Sequence, residues 1–134
     1  MTKPKRIDWS KKYEIGVKRI DFEHQIFADL INGLSDKIAA GSDKLSLART
    51  LREIIKYADF HFTSEENIME DCGYPGLREH IDIHRALQRT LNDKVMAMVS
   101  DNSSPSDILN FLADWFLDHT VREDSRISLY TMRH

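Results

Sequence analysis

The chain has little that punctuates or crosslinks a fold: of 134 residues, 5 are glycine, 3 are proline and 1 is cysteine. With Cys72 as the sole thiol an intrachain disulfide is excluded, and nothing speaks for an oxidising compartment. No run approaches the roughly 18 apolar residues of a membrane span, and the polar start MTKPKRIDWSKKY has no apolar stretch of the kind a secretion signal needs. A cytoplasmic protein without a membrane span is expected. Basic runs are missing as well. The net charge of -3 arises from 19 basic and 22 acidic residues with no basic face, which removes nucleic acid as an expected partner. There is no internal repeat and no low-complexity segment.

What is abundant is helical periodicity. Ile20, His24, Phe27, Ile31, Leu34 and Ile38 recur at alternating steps of four and three, and Leu47, Leu51, Ile54, Ala58, His61, Glu65 and Ile68 continue the rhythm. A third stripe runs through Leu77, His80, His84, Leu87, Leu91, Val95 and Met98, and a fourth through Ile108, Leu112, Trp115 and His119. Gly41 closes the first segment and the CGYPG stretch the second. Ser104, followed by Pro105 and then Asp107, starts the fourth with a variant capping box. The pattern predicts one all-α domain over residues 1–134: an N-terminal arm at 1–17, then helices at about 19–40, 43–71, 77–99 and 105–130. The short connections favour an up-down-up-down antiparallel four-helix bundle.

The stripes are interrupted by polar residues, and the interruptions share a height. At about 1.5 Å of rise per residue, His24, His61, Glu65, His80, His84 and His119 all fall roughly 5 to 17 Å from the same end of such a bundle. A single histidine on an apolar face is ordinarily a hydrogen-bonded core residue. With an acid from the end of the fourth helix, seven unsatisfied buried polar groups would cost about 7 to 20 kcal/mol, as much as the whole stability of an ordinary domain. A shared metal site compensates them together, because imidazole nitrogens and carboxylate oxygens become ligands. Five imidazoles are too many for one tetrahedral zinc, and Ile81 stands where a zinc-protease helix would carry Glu after His80. Two metals are implied, and imidazole mixed with carboxylate suits iron.

The acid of the fourth helix is ambiguous from spacing. At about 100° per residue, Glu123 shares a face with His119, whereas Asp124 points roughly 140° away. Asp124 faces inward only if the helix is locally widened, as in a single-turn π-bulge.

These residues carry a family resemblance. The W...Y.IGV..ID.EH pattern (Trp9 to His24), HFTSEENIM (His61 to Met69), GYP..REHIDIH (Gly73 to His84) and WFLDHTVRED (Trp115 to Asp124) resemble the hemerythrin family in its single-domain bacterial form. The resemblance implies two iron ions with an oxo or hydroxo bridge. His80, His84 and His119 would hold one and His24 and His61 the other, with Glu65 and Asp124 bridging; the family's final His-x4-Asp motif selects Asp124 over Glu123. It also implies that dioxygen binds end-on at an open position of the second iron, for oxygen transport, storage or delivery and without enzymatic turnover. No Glu here has a His three residues later, the pair that ferritin-like oxygen-activating enzymes carry on two helices.

By their offsets from these positions, Phe27, Phe62, Trp115 and Phe116 are candidates for an apolar oxygen pocket. Thr120 joins them in place of the bulky aliphatic residue often found there. Alternatives are an oxygen or redox sensor read by a signalling partner, or a di-iron enzyme handling peroxide or nitric oxide; a carrier would instead deliver to an oxygen-using enzyme. Met69, Met96 and Met98 read as core or near-core filler. Lys3, Lys5, Arg6, Lys11, Lys12 and His134 read as solvated.

Overall fold

The computed structural model describes residues 5–131; Lys3 and His134 lie outside them. Helices α1 (Lys18–Ala39), α2 (Lys44–Cys72), α3 (Leu77–Val99) and α4 (Pro105–His119) form an up-down-up-down bundle. In this bundle α1 and α3 each pack between α2 and α4. The fourth rod continues past α4 through a π-helical turn, Thr120–Asp124, into α5 (Ser125–Thr131). The widened turn is the one departure from a regular fourth helix, and it falls within the His119 to Asp124 interval where helical phase was ambiguous.

The helix ends follow local chemistry. Asp43 accepts from the Ser46 N–H at 2.8 Å at the start of α2, and the Ser104 hydroxyl accepts from the Asp107 N–H at 3.2 Å at the start of α4. Gly73 ends α2 at φ +69°, a left-handed conformation that costs glycine no Cβ clash.

The arm is tied down by its backbone. Asn32 accepts from the Ile7 N–H at 2.7 Å and donates to the Ile7 carbonyl at 2.8 Å, while Ile7 itself is buried. Asp21 accepts from the Ile15 and Gly16 N–H groups at 2.7 and 3.0 Å, leading the chain into α1. Lys5 pairs with Asp114 and Arg6 with Asp36, so these two cations are not merely solvated; at exposed positions such pairs add little stability.

Most apolar side chains form one cluster, which includes Phe27, Ile31, Leu34, Leu51, Ile54, Leu91, Met98 and Leu112. A smaller one, Ile20, Met69 and Ile127, forms separately. Met69 and Met98 are fully buried, but Met96 is 68% exposed and is not core filler. Met98 lies on the inward stripe and Met96, two residues earlier, points about 200° around the helix.

Candidate metal centre

The structure brings all seven predicted polar residues together. His24 comes from α1, His61 and Glu65 from α2, His80 and His84 from α3, His119 from the end of α4 and Asp124 from the end of the π turn, and every one is buried. Glu65 stands at the centre. Its Oε1 lies 2.6 Å from His80 Nε2, 3.2 Å from His84 Nε2 and 3.9 Å from His119 Nε2. Its Oε2 lies 3.3 Å from His61 Nε2 and 3.8 Å from His24 Nε2. Asp124 divides in the same way, Oδ1 being 2.9 Å from His119 Nε2 and 3.1 Å from His80 Nε2, and Oδ2 being 2.8 Å from His24 Nε2.

The π turn makes this possible. One extra residue per turn rotates Asp124 back onto the face of His119, and Glu123 is left outside, 3.7 Å from the guanidinium of Arg126.

Of these contacts only His80 Nε2 to Glu65 Oε1 is a hydrogen bond. Glu65 Oε2, both oxygens of Asp124, His84 Nε2 and His119 Nε2 are buried with no hydrogen-bond partner. Five orphaned atoms would cost about 5 to 15 kcal/mol. Cations between the two carboxylates would satisfy them. The donor atoms form two groups, Glu65 with His80, His84 and His119, and Glu65 and Asp124 with His24 and His61; each group lies within 4.8 Å internally. The residues therefore fit a pair of metals, and imidazole with carboxylate is a donor set suited to iron.

Two acids that sequence reasoning passed over complete the arrangement. Glu23 is buried on α1, and its Oε1 lies 2.8 Å from His61 Nδ1. The Ser64 hydroxyl and Arg19 Nε donate to Glu23 Oε2 at 2.8 and 3.1 Å. Glu66 Oε2 lies 2.8 Å from His84 Nδ1. A carboxylate only accepts, so each Nδ1 carries a proton and Nε2 is the ring nitrogen turned inward, the one a metal would take. The signal for Glu23 was present: it follows Ile20 by three residues, and a carboxylate on a buried stripe needs a partner.

Aromatic rings hold the imidazoles in orientation. Phe62 stacks on His84 with centroids 3.9 Å apart, and Trp115 stacks on His119 at 4.4 Å. Phe116 meets His24 edge-on at 5.7 Å, and Phe27 meets His61 edge-on at 6.1 Å. Trp9 of the arm lies 6.3 Å from His24. All five predicted pocket residues, Phe27, Phe62, Trp115, Phe116 and Thr120, line one cavity together with His24, His61, His119 and Asp124. Its empty space is about 160 Å³, nowhere wide enough for a freely placed water.

The charges of the layer hold one another in place. Burial alone would lower the pKa of His61, but its hydrogen bond to Glu23 and the nearby carboxylate of Glu65 outweigh that and raise it to about 9. Burial likewise opposes protonation of His80 and His119, yet Asp124 and Glu65 hold them up at about 9 and about 10. His24 is raised by Asp124 and Glu65 against the same burial. Burial pushes Glu65 and Asp124 upward, but the surrounding histidines pull both below the ordinary carboxylate range.

A helical bundle with buried imidazoles and carboxylates converging from four helices is a metal-binding protein of the bundle-core class. Residues 15–128 match the family model described as the hemerythrin HHE cation binding domain, and the chain belongs to the hemerythrin family. It is 27% identical over 126 residues to a bacteriohemerythrin of Pseudomonas aeruginosa, covering 94% of this chain and 81% of that one. It is 28% identical over 121 residues to a myohemerythrin of Theromyzon tessulatum, covering 90% of each. A crystal structure of wild-type hemerythrin superposes with a TM-score of 0.82 at 25% identity, over 91% of this chain and 95% of that one. Family and donor set together define a protein of the di-iron, oxygen-binding type. Among the described residues no helix is long and apolar enough to cross a membrane.

Proposed function

We propose that this chain binds dioxygen reversibly at a pair of iron ions and carries, stores or delivers it within the cytoplasm, without turning over an organic substrate. In this reading His80, His84 and His119 would hold one iron and His24 and His61 the other, with Glu65 and Asp124 supplying the carboxylates shared by both sets. The single observation that carries it is the division of both carboxylates, one oxygen of each toward His80 and His119 and the other toward His24. Bound iron would supply the electrons that dioxygen takes up reversibly.

The protein's own residues do the rest. Glu23 and Glu66 keep Nδ1 of His61 and His84 protonated, which points Nε2 inward. The cavity meets both histidines of the two-histidine set but, of the other three, only His119. It therefore opens on the half that is one imidazole short. Phe27, Phe62, Trp115 and Phe116 exclude water and stray protons there. Of the four carboxylates about the site only Glu65 and Asp124 would be ligands, beside five imidazoles, and a ligand set with so few anions favours binding over oxidation.

The test is iron content together with the visible spectrum of the reduced protein before and after air. Two irons per chain and an absorption change reversed by removing oxygen are expected. Less than one iron per chain, or sustained turnover of an organic substrate with dioxygen, would overturn the reading.

A further inference from the structure

The chain has two tryptophans, and each lies against a different histidine of the buried layer, Trp115 stacked on His119 and Trp9 of the arm edge-on to His24 at 6.3 Å. Among the described residues only Trp9 also touches a tyrosine. The Tyr13 ring stands 5.6 Å from the indole at 37°, within the range of direct aromatic contact. The arm is pinned on both sides of this pair, at Ile7 by Asn32 and at Ile15 and Gly16 by Asp21. Trp9 and Tyr13 are both half-buried, so a fixed row of rings runs from the buried imidazole of His24 to the surface. A second row, His61 to Phe27 to Tyr57, has centroids 6.1 and 5.8 Å apart but different chemistry. Phe27 resists oxidation, the Tyr57 hydroxyl donates to the Glu23 carbonyl at 2.8 Å, and burial pushes that phenol up.

We propose that Trp9 and Tyr13 form an exit for oxidising equivalents, which carries a damaging oxidation at the metal layer to the surface instead of onto its histidines. This inference rests on the di-iron reading above. The oxidant is hydrogen peroxide, which takes up two electrons and two protons to become two waters. Trp9 passes one electron inward across its contact with His24. Tyr13 replaces it, losing one electron to Trp9 and its phenol proton to water. A phenol that can shed its proton is more easily oxidised than an indole, so the order of Trp9 inside and Tyr13 outside drives the step outward. Tyr13 is open to solvent that can take the proton, whereas the carbonyl facing Tyr57 is no base. A one-electron reductant such as a thiol returns a hydrogen atom to Tyr13, and a second passage supplies the second electron.

The experiment compares the wild type, Tyr13→Phe and Trp9→Phe in two ways. Phenylalanine keeps a ring in place and removes the oxidisable group, and the Tm of each metal-free chain reports folding. In the first, azidyl radicals from pulse radiolysis take one electron from tryptophan in the full metal-free chain, and absorption follows the indolyl radical as it gives way to a phenoxyl radical. Transfer at a rate independent of protein concentration is expected in the wild type, slowed roughly tenfold or more in either variant. In the second, the iron-loaded protein is mixed with hydrogen peroxide and frozen for electron paramagnetic resonance. A phenoxyl radical is expected in the wild type and none in Tyr13→Phe, with His24 more extensively oxidised in Trp9→Phe, as read by peptide mass spectrometry. Unslowed transfer in Tyr13→Phe, no organic radical in the iron-loaded wild type, or equal oxidation of His24 in wild type and Trp9→Phe overturns the exit. A wild-type chain that takes up no iron, read by metal analysis apart from the radiolysis, sinks the di-iron reading itself and the exit with it.

Discussion

Asp124 Oδ1 lies 2.9 Å from His119 Nε2, although the two residues stand five positions apart on one rod and regular α geometry would set them roughly 140° apart. The π turn between them removes the mismatch. Asp124→Asn should therefore lose at least one of the two irons, while Glu123→Gln, which breaks only a partly exposed pair with Arg126, should retain both. Metal analysis of the two variants side by side decides it; iron loss in Glu123→Gln alone would reverse the assignment.

The metal-free protein should lose stability as the solution turns alkaline. His61 and His80 are held up at about 9 and His119 at about 10, above their ordinary value of 6.5. Their contribution is complete below about 6.5 and disappears as pH rises through 9 to 10. Glu65 and Asp124 are depressed, so theirs is present above the ordinary carboxylate range and fades in acid. Thermal melts of the chelator-treated chain should show a maximum between about pH 5 and 6.5, and a Tm lower by roughly 5 °C or more at pH 9.5. A Tm that is flat or rising over the alkaline range would contradict it.

Metal uptake should run the other way. Ligation requires neutral imidazoles, so the protons on His61, His80 and His119 must leave when metal enters. Loading the chain with ferrous iron at pH 7 in weak buffer should release more than one proton per chain, read with an indicator dye. No release would mean that these imidazoles are not displaced by metal.

Glu23→Gln should weaken one metal more than the other. The carboxylate orients His61 and raises its basicity, and loss of such a partner typically costs roughly 10- to 100-fold in metal affinity. Chelator competition should resolve one weakened iron and one near its original affinity. Uniform weakening of both would point to general unfolding instead.

Thr120→Ile should slow oxidation of the reduced protein in air. It replaces a residue of the cavity wall with a bulkier hydrocarbon and narrows a space that is already tight. The half-life of the air-exposed reduced spectrum measures it; an unchanged or shorter half-life would remove Thr120 from the pocket's chemistry.

Helical phase was legible because it is a local property. The steps of three and four through Ile20 to Ile38 and Leu77 to Met98 mark one face of each rod, and Ser104 and Gly73 mark ends through their own backbone preferences. Counting residues from those ends put His24, His61, Glu65, His80, His84 and His119 at one height. Met96 was misjudged because composition names a residue type and only phase names a face.

The one-dimensional chain thus determined the helices, their buried stripes and the level at which polar groups collect, since each depends on neighbours within a few residues. Tertiary structure alone decided that the fourth rod widens at Thr120–Asp124, and that Glu23 serves His61 and Glu66 serves His84. A π turn survives where the packing and charge of the whole layer outweigh a strained helical turn. A carboxylate's partner on another helix depends on how the two helices are rotated against each other, a quantity set by the packed core and not by spacing along either one.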